Sequence, residues 1–253
     1  MKPFNEYKRF FAFGCSLTKY SWPTWADIIA QEIPKYYNYG RSGGGNLFIS
    51  NSIVEANLTH KFNKDDLVMV MWSSVSREDR YKKGTWETPG NIYSQGVFDN
   101  NFVAKWADDR FYMIRDLALI ELTKCYLEKV SADIDMFKMT DFEELKIVDN
   151  LNENPLDDVL ELYSNTVKSI KPSIVDVVYQ GKWPATPIKG WGGKGQTVDY
   201  HPTPLGHLKY IKHFFNVTDK MTQFAEEYEK KVLLCKSLDD TLGFWPPSGV
   251  NRL

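Results

Sequence analysis

The residues that could do chemistry begin where a short apolar run, Phe10 to Phe13, stops at Gly14-Cys15-Ser16. A serine hydroxyl becomes a nucleophile when a general base lies within hydrogen-bond reach and an acceptor orients that base. The chain has four histidines: His60, His201, His207 and His213. His60 falls at the end of an expected helix beside Lys61 and reads as a solvated surface residue. His207 and His213 fall inside the last expected helix, where packing or solvent accounts for them. His201 differs, because it follows Asp199 in Val-Asp-Tyr-His-Pro-Thr-Pro, at the end of an irregular stretch and just ahead of a helix start. Ser16, His201 and Asp199 are therefore candidates for acyl transfer through a serine. The bland alternative for Ser16 is a serine that bonds loop backbone after a strand.

Other chemistries fit less well. Cys15, Cys125 and Cys235 are far apart and odd in number, which reads as reduced thiols. No two histidines have the i,i+4 spacing of a helical metal site and no cysteine joins them, so neither metal nor organic cofactor is expected. Ser42-Gly43-Gly44-Gly45 lacks both the Gly-Lys-Ser/Thr and the Gly-x-Gly-x-x-Gly continuation of a nucleotide loop. Lys8 and Arg9 precede Cys15, but the apolar stretch from Phe10 to Gly14 is shorter than the roughly 7 to 15 residues of a lipoprotein signal core. A net charge of −2 leaves no positive excess for a phosphate backbone, so no nucleic-acid partner is expected. No apolar run approaches the roughly 18 to 20 residues of a membrane span, so no membrane partner is expected and a cytoplasmic location is.

Three motifs in order, Phe-Gly-Cys-Ser-Leu-Thr from Phe13, Asn-Tyr-Gly-Arg-Ser-Gly-Gly-Gly-Asn from Asn38 and Asp-Tyr-His-Pro-Thr-Pro-Leu-Gly-His from Asp199, resemble the SGNH (GDSL-type) serine hydrolases. The resemblance spans residues 11 to 213. It implies that Ser16 is the nucleophile, His201 the general base and Asp199 the acid that orients it. It places Gly43 beside the Ser16 N–H in the oxyanion hole, with Asn38 holding the loop. The sequence departs from the family twice. Asp199 precedes His201 by two residues, where the family has three, and Asp176 or a backbone carbonyl is the substitute orienter. Where the family has Gly-x-Asn-Asp after the third core strand, this chain reads Met-Trp-Ser-Ser-Val-Ser-Arg-Glu-Asp, with no asparagine. Ser74, or else Ser73, is the stand-in donor. Arg77 is a candidate for a substrate oxygen or carboxylate, against a surface salt bridge within its own Ser-Arg-Glu-Asp.

The elements that must position these residues follow from hydrophobic patterning. Arg9 to Phe13 reads as a strand, and Trp25, Ile28, Ile29 and Ile33 as a helix face entered near Pro23. A second strand lies in Tyr-Tyr-Asn-Tyr-Gly, a helix over 47–62, and a central parallel strand over 65–72, a continuous apolar run introduced by two acids. One long helix is expected from Ala104 to Val130, then a strand at 132–137, a helix at 156–170 and a strand at 173–180. Thr203 and Pro204 open a helix that carries Leu205, Leu208, Ile211 and Phe215. The alternation predicts an α/β fold: a three-layer αβα sandwich with a central, mostly parallel sheet, the flavodoxin-like architecture that the resemblance implies.

With 253 residues and no linker, one domain is expected over 1–253, with long loops at about 75–103 and 181–202. Such loops gather at the carboxyl ends of the strands, where ligands bind. They carry Trp86, Tyr93, Trp183 and Trp191, whose rings suit a sugar or serve to pin the loops. Four glycines within 189–196 read as a lid. The expected activity is hydrolysis of an ester, an O-acetyl or short acyl group on a carbohydrate or other small molecule. The alternatives are a non-catalytic carbohydrate-binding module on the same fold and an acyltransferase using the same serine.

Overall fold

The computed structural model describes residues 1–94, 97–142, 156–186, 198–241 and 244. Four parallel strands, β1 (Arg9–Phe13), β2 (Lys35–Asn38), β3 (Asp66–Trp72) and a later strand Asp133–Lys138, form one sheet. Between them a two-stranded hairpin, β4 (Arg80–Lys82) and β5 (Thr85–Glu87), stands apart, so Asp133–Lys138 is β6 and the main order is β2-β1-β3-β6. At the amino ends of the central pair, Arg9 places Nε and Nη2 at 2.7 and 2.6 Å from the two oxygens of buried Asp66, a bidentate bond that fixes their register.

Alternation along the strands divides the core. Phe10, Ala12, Leu67, Met69, Met71 and Phe137 face one layer, made of α1 (Trp25–Ile29) and the last three helices. Phe11, Phe13, Val68, Val70, Trp72 and Met136 face the other. There lie α2 (Asn46–His60), α4 (Asp109–Leu127) and two short helices, α5 (Asp157–Leu162) and α6 (Ser164–Lys168). Each side chain fully buried this way contributes about 1.5–3 kcal/mol. The three-layer α/β prediction describes the protein.

Three expectations are corrected. The helix predicted from Ala104 to Val130 is two, α3 (Asn100–Trp106) and α4. Ala107 turns extended, and the Asp108 side chain accepts the Phe111 N–H at 2.6 Å as a new cap. The helix at 156–170 likewise divides into α5 and α6 at Tyr163. The strand predicted at 173–180 is helix α7 (Ile174–Tyr179). Ser173 Oγ accepts the Asp176 N–H at 3.0 Å, and burial of Ile174 and Val175 outweighs a β-propensity that spans only about 1 kcal/mol. A fifth strand is reduced to one parallel bridge, Phe137 with Lys171. Helices α8 (Pro204–Phe214) and α9 (Asp219–Leu234) complete the first layer.

Candidate active site

The nucleophile candidate sits where β1 ends. Thr18 and Lys19 donate their N–H groups to the Cys15 carbonyl, which closes a tight turn around Ser16. Gly14 is required there by crowding, since a Cβ would lie 2.1 Å from Thr18 Oγ1 and 3.0 Å from the Met71 carbonyl oxygen. Asn38, at the end of β2, ties the turn down. Its Nδ2 donates to the Thr18 carbonyl at 2.9 Å while its Oδ1 accepts the Gly40 N–H at 2.8 Å.

His201 arrives from the other end of the chain. Its Nε2 lies 2.9 Å from Ser16 Oγ, and its Nδ1 lies 2.8 Å from Asp199 Oδ1. A carboxylate only accepts, so Nδ1 carries the proton and Nε2 offers its lone pair to the serine hydroxyl. The two-residue spacing of Asp199 and His201 serves well, because the same Oδ1 also accepts the His201 backbone N–H at 2.8 Å. Asp176, the substitute orienter, is instead bonded to Ser173 at the start of α7. Paired backbone bonds between Thr186 and Asp199 brace the segment.

The charges favour this arrangement. Asp199 is buried, which works against ionisation, yet the bonds from His201 and Tyr20 outweigh burial and hold its carboxyl below the usual carboxylate range. Tyr20 was missed by sequence reasoning. Its Oη donates to Asp199 Oδ2 at 2.5 Å, and its ring stacks on His201 with centroids 3.7 Å apart. The one signal for it was position, four residues past Ser16 on the same turn.

Around the proposed oxyanion loop, the structure gives each residue a place. Gly43 has φ +72°, and a Cβ there would lie 2.0 Å from the Thr88 carbonyl oxygen, so loop packing demands the glycine. Asp79 accepts the N–H groups of Gly45 and Phe48, both at 2.9 Å, and so caps α2. Arg77 donates from Nη1 to the Gly44 carbonyl at 3.0 Å and from Nε to Ser74 Oγ at 3.2 Å. It thus braces the glycine loop, while Glu78 pairs with Arg80 and Arg115, both of which lie outside Ser-Arg-Glu-Asp. Ser74 Oγ accepts that bond and keeps its own proton for donation. Ser73 is buried, its N–H held by Asn46 Oδ1 at 2.9 Å and its Oγ unpartnered. Asn46, buried and also bonded to Asp116, fixes the exit of β3 and was not singled out from sequence.

The remaining candidates scatter. Trp86 lies on the hairpin, edge-on to Phe48 and Tyr81. It lines a cavity of about 770 Å³ with Glu78, Arg115 and Trp106 that none of Ser16, Asp199 and His201 borders. Trp183 is partly exposed, three residues before Thr186. Trp191 and the glycine-rich 189–196 lie outside the described residues. His60 is not a solvated surface residue. It packs on Phe11 and Tyr37 and bonds Tyr39 Oη at 2.9 Å, and burial lowers its pKa. His207 is buried and His213 exposed. Among the described residues no three His, Cys, Asp or Glu side chains gather as a metal site, and no helix is long and apolar enough to cross a membrane.

No protein-family model matches the chain, and no curated protein matches it. Solved structures similar to it include the following two. One is a member of the lipolytic protein G-D-S-L family from Veillonella parvula, 16% identical, with 82% of this chain and 98% of that one covered and a TM-score of 0.40. The other is a GDSL-like lipase from Bacteroides thetaiotaomicron, 15% identical, with 92% and 91% covered and a TM-score of 0.34.

Proposed function

We propose that the protein is a serine hydrolase of the SGNH type that cleaves an ester through an acyl-enzyme on Ser16. The observation that carries this reading is the continuous relay from Ser16 Oγ through His201 to Asp199, with links of 2.9 and 2.8 Å. As Ser16 Oγ attacks the substrate carbonyl carbon, His201 Nε2 takes the hydroxyl proton and Asp199 stabilises the resulting imidazolium. The N–H groups of Ser16 and Gly43 and the Ser74 hydroxyl receive the charge that develops on the carbonyl oxygen. Collapse expels the alcohol, which takes the proton from His201. A water molecule then attacks the acyl carbon and gives its proton to the same nitrogen, which returns it to Ser16 Oγ as the acid is released.

The substrate class we propose is an O-acetyl or short acyl ester of a carbohydrate. Trp183 supports it, being 39% exposed on the segment that Thr186 joins to Asp199, where a ring face can meet a sugar. Hydrolysis of p-nitrophenyl acetate by the wild type and by Ser16→Ala tests the chemistry. Turnover is expected from the wild type alone, and equal rates would remove Ser16 from the mechanism. Acetate release from an acetylated oligosaccharide, compared with a long-chain p-nitrophenyl ester, tests the substrate class; preference for the long chain would overturn it.

A further inference from the structure

We infer that Tyr20 is a positioning residue that holds the Asp199–His201 pair in register with Ser16, an inference that rests on the serine-hydrolase reading. Asp199 and His201 lie two positions apart and share the same oxygen, Oδ1, through both the ring and the backbone N–H. They therefore form a local unit that is rigid within itself. Nothing in that local bonding fixes how the unit faces a serine 185 positions away. Tyr20 supplies the link. Its hydroxyl donates to Oδ2, the carboxylate oxygen that His201 leaves open, and so locks rotation of the carboxylate about its Cβ–Cγ bond. Its ring lies at 19° to the His201 ring with centroids 3.7 Å apart, which stops the imidazole from tilting on that face.

Tyr20 belongs to the segment that carries Ser16, so nucleophile and clamp move together. Trp22 extends the clasp by donating from Nε1 to the Pro202 carbonyl at 2.8 Å, on the far side of His201. Trp22 and Tyr20 brace each other edge to face at 4.7 Å. The phenol is 6% exposed, and burial together with the bond to Asp199 raises its pKa far above the ordinary tyrosine value. It stays a neutral donor and takes no part in proton transfer. Of these contacts, only those of Tyr20 reach the side chains of both Asp199 and His201.

The test uses Tyr20→Phe, which keeps the stacked ring and loses the hydroxyl, and Tyr20→Leu, which loses both. With p-nitrophenyl acetate, Tyr20→Phe is expected to lower kcat about 10- to 100-fold, the worth of a hydrogen bond to a charged group, with KM within about twofold of wild type. Tyr20→Leu falls further. Thermal unfolding reports whether either variant folds. The second readout is the downfield proton resonance of His201 Nδ1–H, assigned by its loss in His201→Gln. Removing the Tyr20 hydroxyl leaves Asp199 more basic and moves that resonance, whether or not the enzyme turns over. Unchanged kcat, or an unmoved Nδ1 proton in a folded Tyr20→Phe, overturns the inference. A wild type without turnover and without fluorophosphonate labelling of Ser16 would instead overturn the hydrolase reading, and the Nδ1 proton then decides the role of Tyr20 alone.

Discussion

His201 Nε2 lies 2.9 Å from Ser16 Oγ although 185 positions separate the two residues. The sheet makes this meeting possible. Ser16 follows the central strand β1, flanked by β2 and β3, and its turn faces the carboxyl edge of a parallel sheet, where chain segments from separate units converge. His201 reaches that edge because Pro202 and Thr203 lead straight into α8, which packs on α1 just beyond the Ser16 turn. The proposed nucleophile and base, far apart in the sequence, are held together by the fold as a whole.

The first prediction concerns the acid. Asp199→Asn presents an amide where two donors from His201 and one from Tyr20 now converge, so one of them must face an N–H. In either orientation the imidazolium loses the negative charge that stabilises it, and with the amide N–H toward the ring the imidazole also loses the acceptor that keeps its proton on Nδ1. Activity toward p-nitrophenyl acetate is expected to fall by about 10³- to 10⁴-fold, with circular dichroism unchanged. A fall of less than tenfold in a folded variant would show that Asp199 does not orient the base.

The second concerns Ser74, the donor proposed in place of the absent asparagine. Ser74 Oγ accepts from Arg77 and retains its own proton. If that proton meets the oxyanion, Ser74→Ala lowers kcat by roughly 100-fold and leaves KM nearly unchanged, because the bond strengthens only as charge develops. Steady-state kinetics separates this from mere support of Arg77, which would cost only a few-fold.

Much of this was legible in the sequence, for identifiable reasons. Ser16 after a buried strand and His201 beside Asp199 stand out because chemically active types are few and the spacing of the pair is local. The central strand announced itself, since Asp66–Trp72 is buried at every position and reads from Leu67 on as an unbroken apolar run. What stayed hidden depends on tertiary partners. Residues 173–180 are rich in β-branched types, yet a serine cap and the packing of Ile174 and Val175 make them a helix. Tyr20 is one of 14 tyrosines, and nothing in its neighbours marks a bond to residue 199. Helix α9 carries its only fully buried apolar contacts at Met221, Ala225 and Val232 among the described residues, too sparse a stripe to stand out in a strongly charged segment.

The third prediction separates backbone strain from crowding in the glycine loop. Gly43→Ala must place a methyl group 2.0 Å from the Thr88 carbonyl oxygen at φ +72°, whereas Gly90→Ala at φ +100° meets nothing within 4 Å. The first is expected to cost more than about 2 kcal/mol and the second about 1 to 2, from conformation alone. Urea unfolding midpoints measure both. Equal losses would mean that the Thr88 contact relaxes without cost. Gly43→Ala is also expected to lower turnover, since it shifts the N–H assigned to the oxyanion.

The last prediction is a pH dependence. His207 is buried on α8 with Nδ1 unpartnered, and desolvation, helped by nearby His201, pushes its pKa down to about 3. The unfolded chain, with an ordinary histidine near 6.5, binds a proton first as pH falls. The folded state is therefore favoured fully above about pH 6.5, and that contribution is lost progressively as pH falls from there toward 3. At pH 5 the loss amounts to about 2 kcal/mol, one and a half pH steps at about 1.4 kcal/mol each. His207→Leu has no proton to bind and fills a similar volume, so its stability relative to wild type should rise by that amount between pH 7.5 and 5. Denaturant unfolding at the two pH values checks this, and a constant difference between the proteins would show that His207 titrates alike in both states.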